Sequence, residues 1–304
     1  MSASTLRIAA AQYPITRHND WPAFTQHVAT WIRDAVRQRA QWLVFPEYGA
    51  MELVSLLGSE DDVRAMTLAE QLAELQSYFA RWQRCYAELA ASERVWIVAP
   101  SFPVADAAGQ YRNQAWIFAP DGRSACQEKL IMTRFEREEW GVVGGSTINV
   151  FDTPWARIGI AVCYDSEFPL LVRRVVAAGA EVILVPSCTD TFAGYHRVRG
   201  ACVARAIENQ CFVVQAVTVG MAPWCAALDV NIGAAGVFVP PEQGQWDTGV
   251  LADGVPGQPG WIFADLDFDA LRAVRANGQV LNHRDWLESE LPIATRAATW
   301  SSGA

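Results

Sequence analysis

The feature that most constrains this chain is a recurring set of short, almost uninterrupted apolar runs. They are "LRIAAAQYP", "QWLVFPE", "VWIVAPSFP", "QAWIFAPDG", "INVFD", "RIGIAVCYD", "EVILVPSC", "CFVVQAV", "GAAGVFVPP" and "GWIFADLD". A strand with one face in water alternates apolar and polar residues, whereas a run that is apolar at nearly every position suits a strand buried on both faces. Helical patterns lie between many of the runs. "WPAFTQHVATWIRDAVRQRA" places Phe24, Val28, Trp31, Ile32, Ala35 and Val36 on one stripe. "LAEQLAELQSYFARWQRCYAELAASE" reads as one long amphipathic helix, and "VRGACVARAIENQ" as a helix leading into "CFVVQAV". Alternation of this kind predicts an α/β fold with helices packed on sheets. "AWIFAPDGRSACQEKL" differs: a Pro-Asp-Gly turn between two strand-like runs predicts a hairpin. The Gly/Pro loop "GVPGQPG" runs straight into a strand and so does not divide domains. One domain is expected over residues 1–287, followed by a weakly patterned arm or tail over 288–304.

Composition narrows the function classes. The chain has 304 residues, of which 51% are hydrophobic, enough for a large core. Its net charge of −9 is spread without a basic block, so neither nucleic acid nor an anionic membrane is an expected partner. No apolar run approaches the ~18 residues that span a bilayer, and "MSASTLRIAAAQYPI" lacks the pattern of a secretory signal. The seven cysteines are an odd number without C-x-x-C spacing, so a cytoplasmic protein with reduced thiols is expected. The four histidines, His18, His27, His196 and His283, are far apart and show no local metal-ligand spacing; no metal or other cofactor is expected.

Three positions carry candidate chemistry. Cys85, Cys126, Cys188, Cys202, Cys211 and Cys225 read as small core residues, as most cysteines in apolar contexts do. Cys163 could be another, but it stands where a buried run stops and a helical pattern begins after Pro169. Backbone N–H groups at such a junction favour a thiolate and can donate to an oxyanion. No histidine sits at a comparable strand end to serve as its base. Glu47 does, directly after "WLVFP"; it is either a loop or cap carboxylate or a base whose pKa burial raises. Lys129 closes the predicted hairpin and is either solvated or held charged beside a thiolate and a carboxylate.

Glu47, Lys129 and Cys163, in this order, resemble the nitrilase superfamily of carbon–nitrogen hydrolases. The motifs that carry the resemblance are "FPEYG", "EKLIMTRFEREEWGVVGG" and "VCYDSEFP", and it extends from "RIAAAQYP" to "WIFADLD". It implies a four-layer α-β-β-α sandwich with two mixed β-sheets. It also implies a second active-site glutamate after the lysine, Glu136, with Glu138 and Glu139 as competitors. In the implied mechanism Glu47 takes the Cys163 proton, while Lys129 and the backbone N–H of Tyr164 hold the oxyanion. A thioester forms and is hydrolysed, and Glu136 orients Lys129 or positions substrate. Arg205, Glu208 and Asn209, in "ARAIENQCFVVQA", are read as structural.

Cys163-Tyr164-Asp165 looks like the amide-hydrolysing branches, whereas the Lys129–Glu136 spacing looks like the nitrilase branch. The expected substrate is a small amide, with a nitrile or an N-carbamoyl amide as alternatives. A catalytically silent binding protein and a redox-sensing thiol protein are the readings outside hydrolysis. In "PSCTDTFAGYHRVR", read as a loop, Ser187, Cys188, Thr189, Tyr195, His196 and Arg197 are candidates to line the pocket. Arg197 or Arg199 would meet a substrate carboxylate or pair with local acids. The resemblance further implies a homodimer or larger homo-oligomer, with Phe168–Val176 and the C-terminal arm as candidate interface elements.

Overall fold

The computed structural model describes residues 4–292 together with 294 and 296. In chain order the first half comprises β1 (Thr5–Pro14), α1 (Trp21–Arg37), β2 (Trp42–Val44), α2 (Glu60–Ala65), α3 (Leu68–Leu75), α4 (Phe79–Glu93), β3 (Trp96–Val98), β4 (Phe102–Ala105), β5 (Tyr111–Phe118), β6 (Ser124–Glu128) and α5 (Arg134–Glu138). There follow β7 (Val150–Asp152), β8 (Arg157–Ile160), α6 (Pro169–Ala177), β9 (Ala180–Ser187), α7 (Phe192–Asn209), β10 (Phe212–Met221), β11 (Val230–Asn231), β12 (Gly236–Phe238), β13 (Val250–Asp253), β14 (Gly260–Asp267), α8 (Phe268–Asn277) and α9 (Asn282–Asp285). Of the expected arm, Trp286–Glu290 is a 3-10 turn; residues 293, 295 and 297–304 lie outside the described residues.

Two mixed sheets meet at β1. One runs β14-β1-β2-β3-β5, with β4 and β6 both on β5; the other runs β10-β9-β8-β7, with β12 and β13 beyond β10. They are joined because β1 outruns β14: residues 5–12 pair with β14, and Gln12–Pro14 pair in parallel with β10. The strand alternation explains the layers. Leu6, Ile8 and Ala10 of β1 enter the core shared with β8, β9 and β10, whereas Ala9, Ala11 and Tyr13 enter the core under α1 and α4. Val182–Val185 of β9 are all buried, with Val172, Val175 and Val176 of α6 and Val198 and Cys202 of α7 in the same core. This is the expected α-β-β-α layering. Among the described residues no helix is long and apolar enough to cross a membrane.

Two local expectations are corrected. The long helix over 68–93 is broken by a 3-10 turn at Gln76–Tyr78. The Gln76 side chain donates to Pro103 O at 2.8 Å and accepts from Ala105 N at 2.9 Å, which ties the turn to strand β4. The stretch read as a loop after Ser187 instead starts α7 at Phe192, because Thr191 caps it by accepting the Gly194 N–H.

The approach of α6 to β8 depends on Gly159. A Cβ there would lie 2.1 Å from Val175 Cγ1, so only glycine lets the helix pack flush against the strand that leads to Cys163.

Candidate active site

Each of the three candidate residues stands within three residues of the end of a strand, and the sheets bring these ends together. Glu47 stands in the turn three residues beyond β2, Lys129 directly follows β6, and Cys163 lies three residues beyond β8. The Cys163 backbone has φ 46°, the left-handed region that L-residues rarely adopt. Two bonds hold the turn: Asp165 N–H donates to Val162 O at 2.9 Å, and Ser166 Oγ to Cys163 O at 2.6 Å. A 3-10 turn, Cys163–Glu167, carries the chain from the cysteine to α6, which starts at Pro169, where the helical pattern of the sequence begins. The Tyr164 N–H has no hydrogen-bond acceptor among the described residues.

Lys129 Nζ lies 2.7 Å from Glu47 Oε1 and 2.7 Å from Glu136 Oε2. Glu136 is therefore the glutamate beside the lysine; Glu138 pairs with exposed Arg134, and Glu139 lines the cleft. Local chemistry selects Glu136. Thr133 and Glu136 form a reciprocal capping box at α5, with Thr133 N and Oγ1 each donating to Glu136 Oε2 at 2.8 Å. Three further groups position these side chains. Asn113 Nδ2 donates to Glu47 Oε1 at 2.9 Å, and Tyr48 OH donates to Glu136 Oε1 at 2.7 Å. Asp165 accepts the N–H groups of Leu130 and Ile131 at 3.0 and 2.8 Å, tying the nucleophile turn to the lysine strand. Gly145 N donates to Lys129 O at 2.8 Å, and a Cβ on Gly144 would come within 2.3 Å of Leu130 O, which explains the glycine pair.

Burial sets the proton equilibria. Glu47, Lys129, Cys163 and Glu136 are all buried. Desolvation pushes the Glu47 carboxyl up to about 7, with Lys129 opposing the rise. Burial, then the Glu47 charge, holds the Cys163 thiol well above its usual value. Burial would lower the Lys129 ammonium, but the two carboxylates outweigh it and its pKa rises. Glu136 goes the other way: burial would raise it, yet Lys129 keeps it below the usual carboxylate value. Burial raises Asp165 to about 6. The result is a neutral thiol beside a carboxylate that exchanges protons near neutrality, and an ammonium fixed by a second carboxylate. Such a set can deprotonate a nucleophile and stabilise a developing oxyanion.

Cys163 opens into a cleft of about 670 Å³. Of the predicted pocket residues, Cys188, Thr189 and Arg197 line it. Cys188 N–H also donates to Glu47 Oε2 at 3.1 Å. Ser187, Tyr195 and His196 do not line it. Ser187 is buried at the end of β9 with its hydroxyl on Val185 O, and on the helix Tyr195 turns into the core while His196 faces solvent. Arg197 pairs with Glu167 at 3.3 Å and Arg199 with Asp253. Arg205 and Glu208 form a 3.0 Å ion pair, and Asn209 Nδ2 donates to Arg205 O at 3.1 Å, in keeping with structural roles. Outside the cleft, His18, His27 and Glu52 could together hold a metal ion.

Known proteins share the sequence pattern and the fold. Residues 7–276 match the model of the carbon-nitrogen hydrolase family. The Bacillus subtilis protein "Probable hydrolase YhcX" is 33% identical over 284 residues, 93% of this chain; the chain spans 54% of that relative's length. An amidase from Nesterenkonia sp. shares the fold with a TM-score of 0.64 at 26% identity, covering 94% of this chain and 98% of its own. The C. elegans NitFhit protein superposes with a TM-score of 0.74 at 24% identity, covering 91% of this chain and 64% of its own. A family model that runs from within β1 to the end of α8, short of its last residue, and a relative alike over 93% of the chain, leave one conclusion: this chain belongs to the carbon–nitrogen hydrolase family, within the nitrilase superfamily.

Proposed function

We propose that the chain hydrolyses the C–N bond of a small amide through a thioester on Cys163. The observation that carries this is the meeting of Glu47, Lys129 and Cys163 at strand ends, with Glu47 poised at about 7. Glu47 takes the thiol proton as sulfur attacks the carbonyl carbon. The oxygen becomes negative and is held by Lys129 and the Tyr164 N–H. Collapse breaks the C–N bond, and protonated Glu47 passes its proton to the departing nitrogen. Glu47 then accepts a proton from water, whose oxygen attacks the thioester; the thiol is restored and a carboxylic acid leaves. Glu136 holds Lys129 charged and in place. The seven-residue Lys129–Glu136 spacing favours nitrile hydrolysis as the second reading.

The cleft suggests the charge of the substrate. Its lining carries four carboxylates, Glu139, Glu167, Asp190 and Asp229, against two guanidiniums, Arg134 and Arg197. Both arginines already pair with acids. Neutral or cationic amides are therefore expected to exceed carboxylate-bearing amides of equal size by ~10-fold or more in kcat/KM. Ammonia release from matched amides, N-carbamoyl compounds and nitriles tests both points. Preference for anionic amides would remove the charge argument, and turnover of nitriles alone would select the second reading.

A second copy of this chain is the proposed partner for the α6 face. Leu170 on α6 is 68% exposed and Phe192, at the start of α7, 59%. Sedimentation velocity is expected to show a dimer or larger assembly that Leu170→Glu weakens; a concentration-independent monomer would contradict it.

A further inference from the structure

Two histidines that are nine residues apart in the chain converge on one buried glutamate. His18 lies in the segment after β1, His27 on α1, and Glu52 in the 3-10 turn Gly49–Leu57. One ligand atom from each lies within 4.8 Å of the others, and His18 Nε2 is 3.4 Å from Glu52 Oε2. Tetrahedral ligands at about 2.1 Å from zinc are about 3.4 Å apart. His18 and Glu52 are already at that spacing, and His27 would need to close by at most about 1.4 Å.

The surroundings have the character of a built site. Glu52 is fully buried, and among the described residues its ion-pair partner is His18. Its Oε1 accepts the Tyr13 hydroxyl at 2.7 Å, while Oε2 accepts the Thr16 N–H at 3.4 Å and faces His18 Nε2 at 3.4 Å. The His18 backbone N–H donates to Ser55 Oγ at 3.1 Å, and Ser55 Oγ donates to Glu52 O at 2.6 Å. Two of the three ligands are thus fastened to one turn. His27 Nε2 is buried without a hydrogen-bond partner, a cost that a coordinated ion would relieve.

We propose that His18, His27 and Glu52 bind one divalent transition-metal ion, with zinc the best match, and that the ion fastens the turn next to Glu47 to β1 and α1. Two imidazoles and a carboxylate suit zinc, and an outer hydrogen bond to the ligating carboxylate is the usual support for such a site. The Gly49–Leu57 turn starts two residues after Glu47, and the intervening Tyr48 is in the left-handed region with φ 53°. Anchoring Glu52 therefore restrains the backbone that delivers Glu47. The ion would be structural, because none of its ligands lines the cleft.

The test is zinc binding by chelator-stripped full-length protein, followed by calorimetry, retained metal after desalting, and thermal melting. Cobalt(II) absorption reports the ligand types. Wild type and Cys163→Ala should each retain one equivalent, melt at higher temperature with zinc, and show no thiolate-to-cobalt band. His27→Ala, at a half-buried position, should fold by circular dichroism yet bind at least ~100-fold more weakly, since even outer-sphere partners are worth ~10–100-fold. Glu52→Gln should lose the site as well. The proposal fails if no equivalent is retained, if His27→Ala binds as wild type does, or if binding disappears in Cys163→Ala, which would place the ion on the cleft thiol. None of these readouts depends on turnover.

Discussion

Cys163→Ala is expected to reduce amide turnover by at least ~10⁴-fold while leaving the fold intact. The loss is large because no other group near the carbonyl can form the covalent intermediate. Cys188, the other cleft thiol, is pushed beyond the physiological range by burial and by the Glu47 charge, and its Sγ faces Asn231 Oδ1 at 3.8 Å. The fold should survive because the thiol's bond to the backbone is long, 3.7 Å to Cys188 O, its contact with Glu47 serves the chemistry, and alanine adopts the left-handed backbone no less readily than cysteine. Ammonia release, circular dichroism and substrate-protected labelling by a small alkylating agent measure the three parts. Half-exposed Cys126 will also label, so protection by substrate rather than labelling alone identifies the nucleophile. A folded Cys163→Ala protein that keeps most of its activity would falsify the assignment.

Glu47→Gln should cost ~10²–10⁴-fold in acylation and a similar factor in deacylation, because one carboxylate serves both steps. Glutamine retains an oxygen that can accept from Lys129 and Asn113, so the change removes proton acceptance more than it disturbs packing. The pH dependence gives an independent signature. Burial raises the Glu47 pKa from 4.5 to about 7, so the base is ionised above that pH and protonated below it. Wild-type kcat/KM should therefore fall as pH drops through about 7, and the Gln variant should lose this acid limb. The thiol and the carboxyl are in contact, so the apparent value belongs to the pair. Single-turnover mass spectrometry separates the two half-reactions. Rapid, complete acylation of Glu47→Gln followed by hydrolysis at the normal rate would make Glu47 a structural residue only.

The parts legible in the sequence share a physical basis in short-range patterns. Continuous apolar runs such as "EVILVPS" became strands buried on both faces, and the Pro-Asp-Gly turn became the β5–β6 hairpin. The Thr133-Arg134-Phe135-Glu136 spacing is a helix-start signal, and it would have separated Glu136 from Glu138 and Glu139 without any structure. The break at Gln76–Tyr78 was not legible, because it depends on bonds to Pro103 and Ala105, far along the chain. The pocket was only partly legible. A loop over 186–199 would let every residue face the nucleophile, but from Phe192 onward the stretch is helix, which turns each side chain about 100° from the last. Arg197 therefore meets the cleft while Tyr195 is buried and His196 faces water.

The sequence by itself determined the layered α/β architecture, the family, and the strand-end positions of Glu47, Lys129 and Cys163, because periodicity and local motifs need no knowledge of distant neighbours. Tertiary structure alone decided what surrounds those groups. Asn113 on Glu47, Tyr48 on Glu136, Asp165 on the Leu130 and Ile131 amides, and His18 with His27 on Glu52 are contacts between segments that only folding brings together. The proton equilibria belong to the same category. A carboxyl near 7 and a lysine that stays charged while buried arise from desolvation and from charges a few ångströms away, and both are properties of the packed interior.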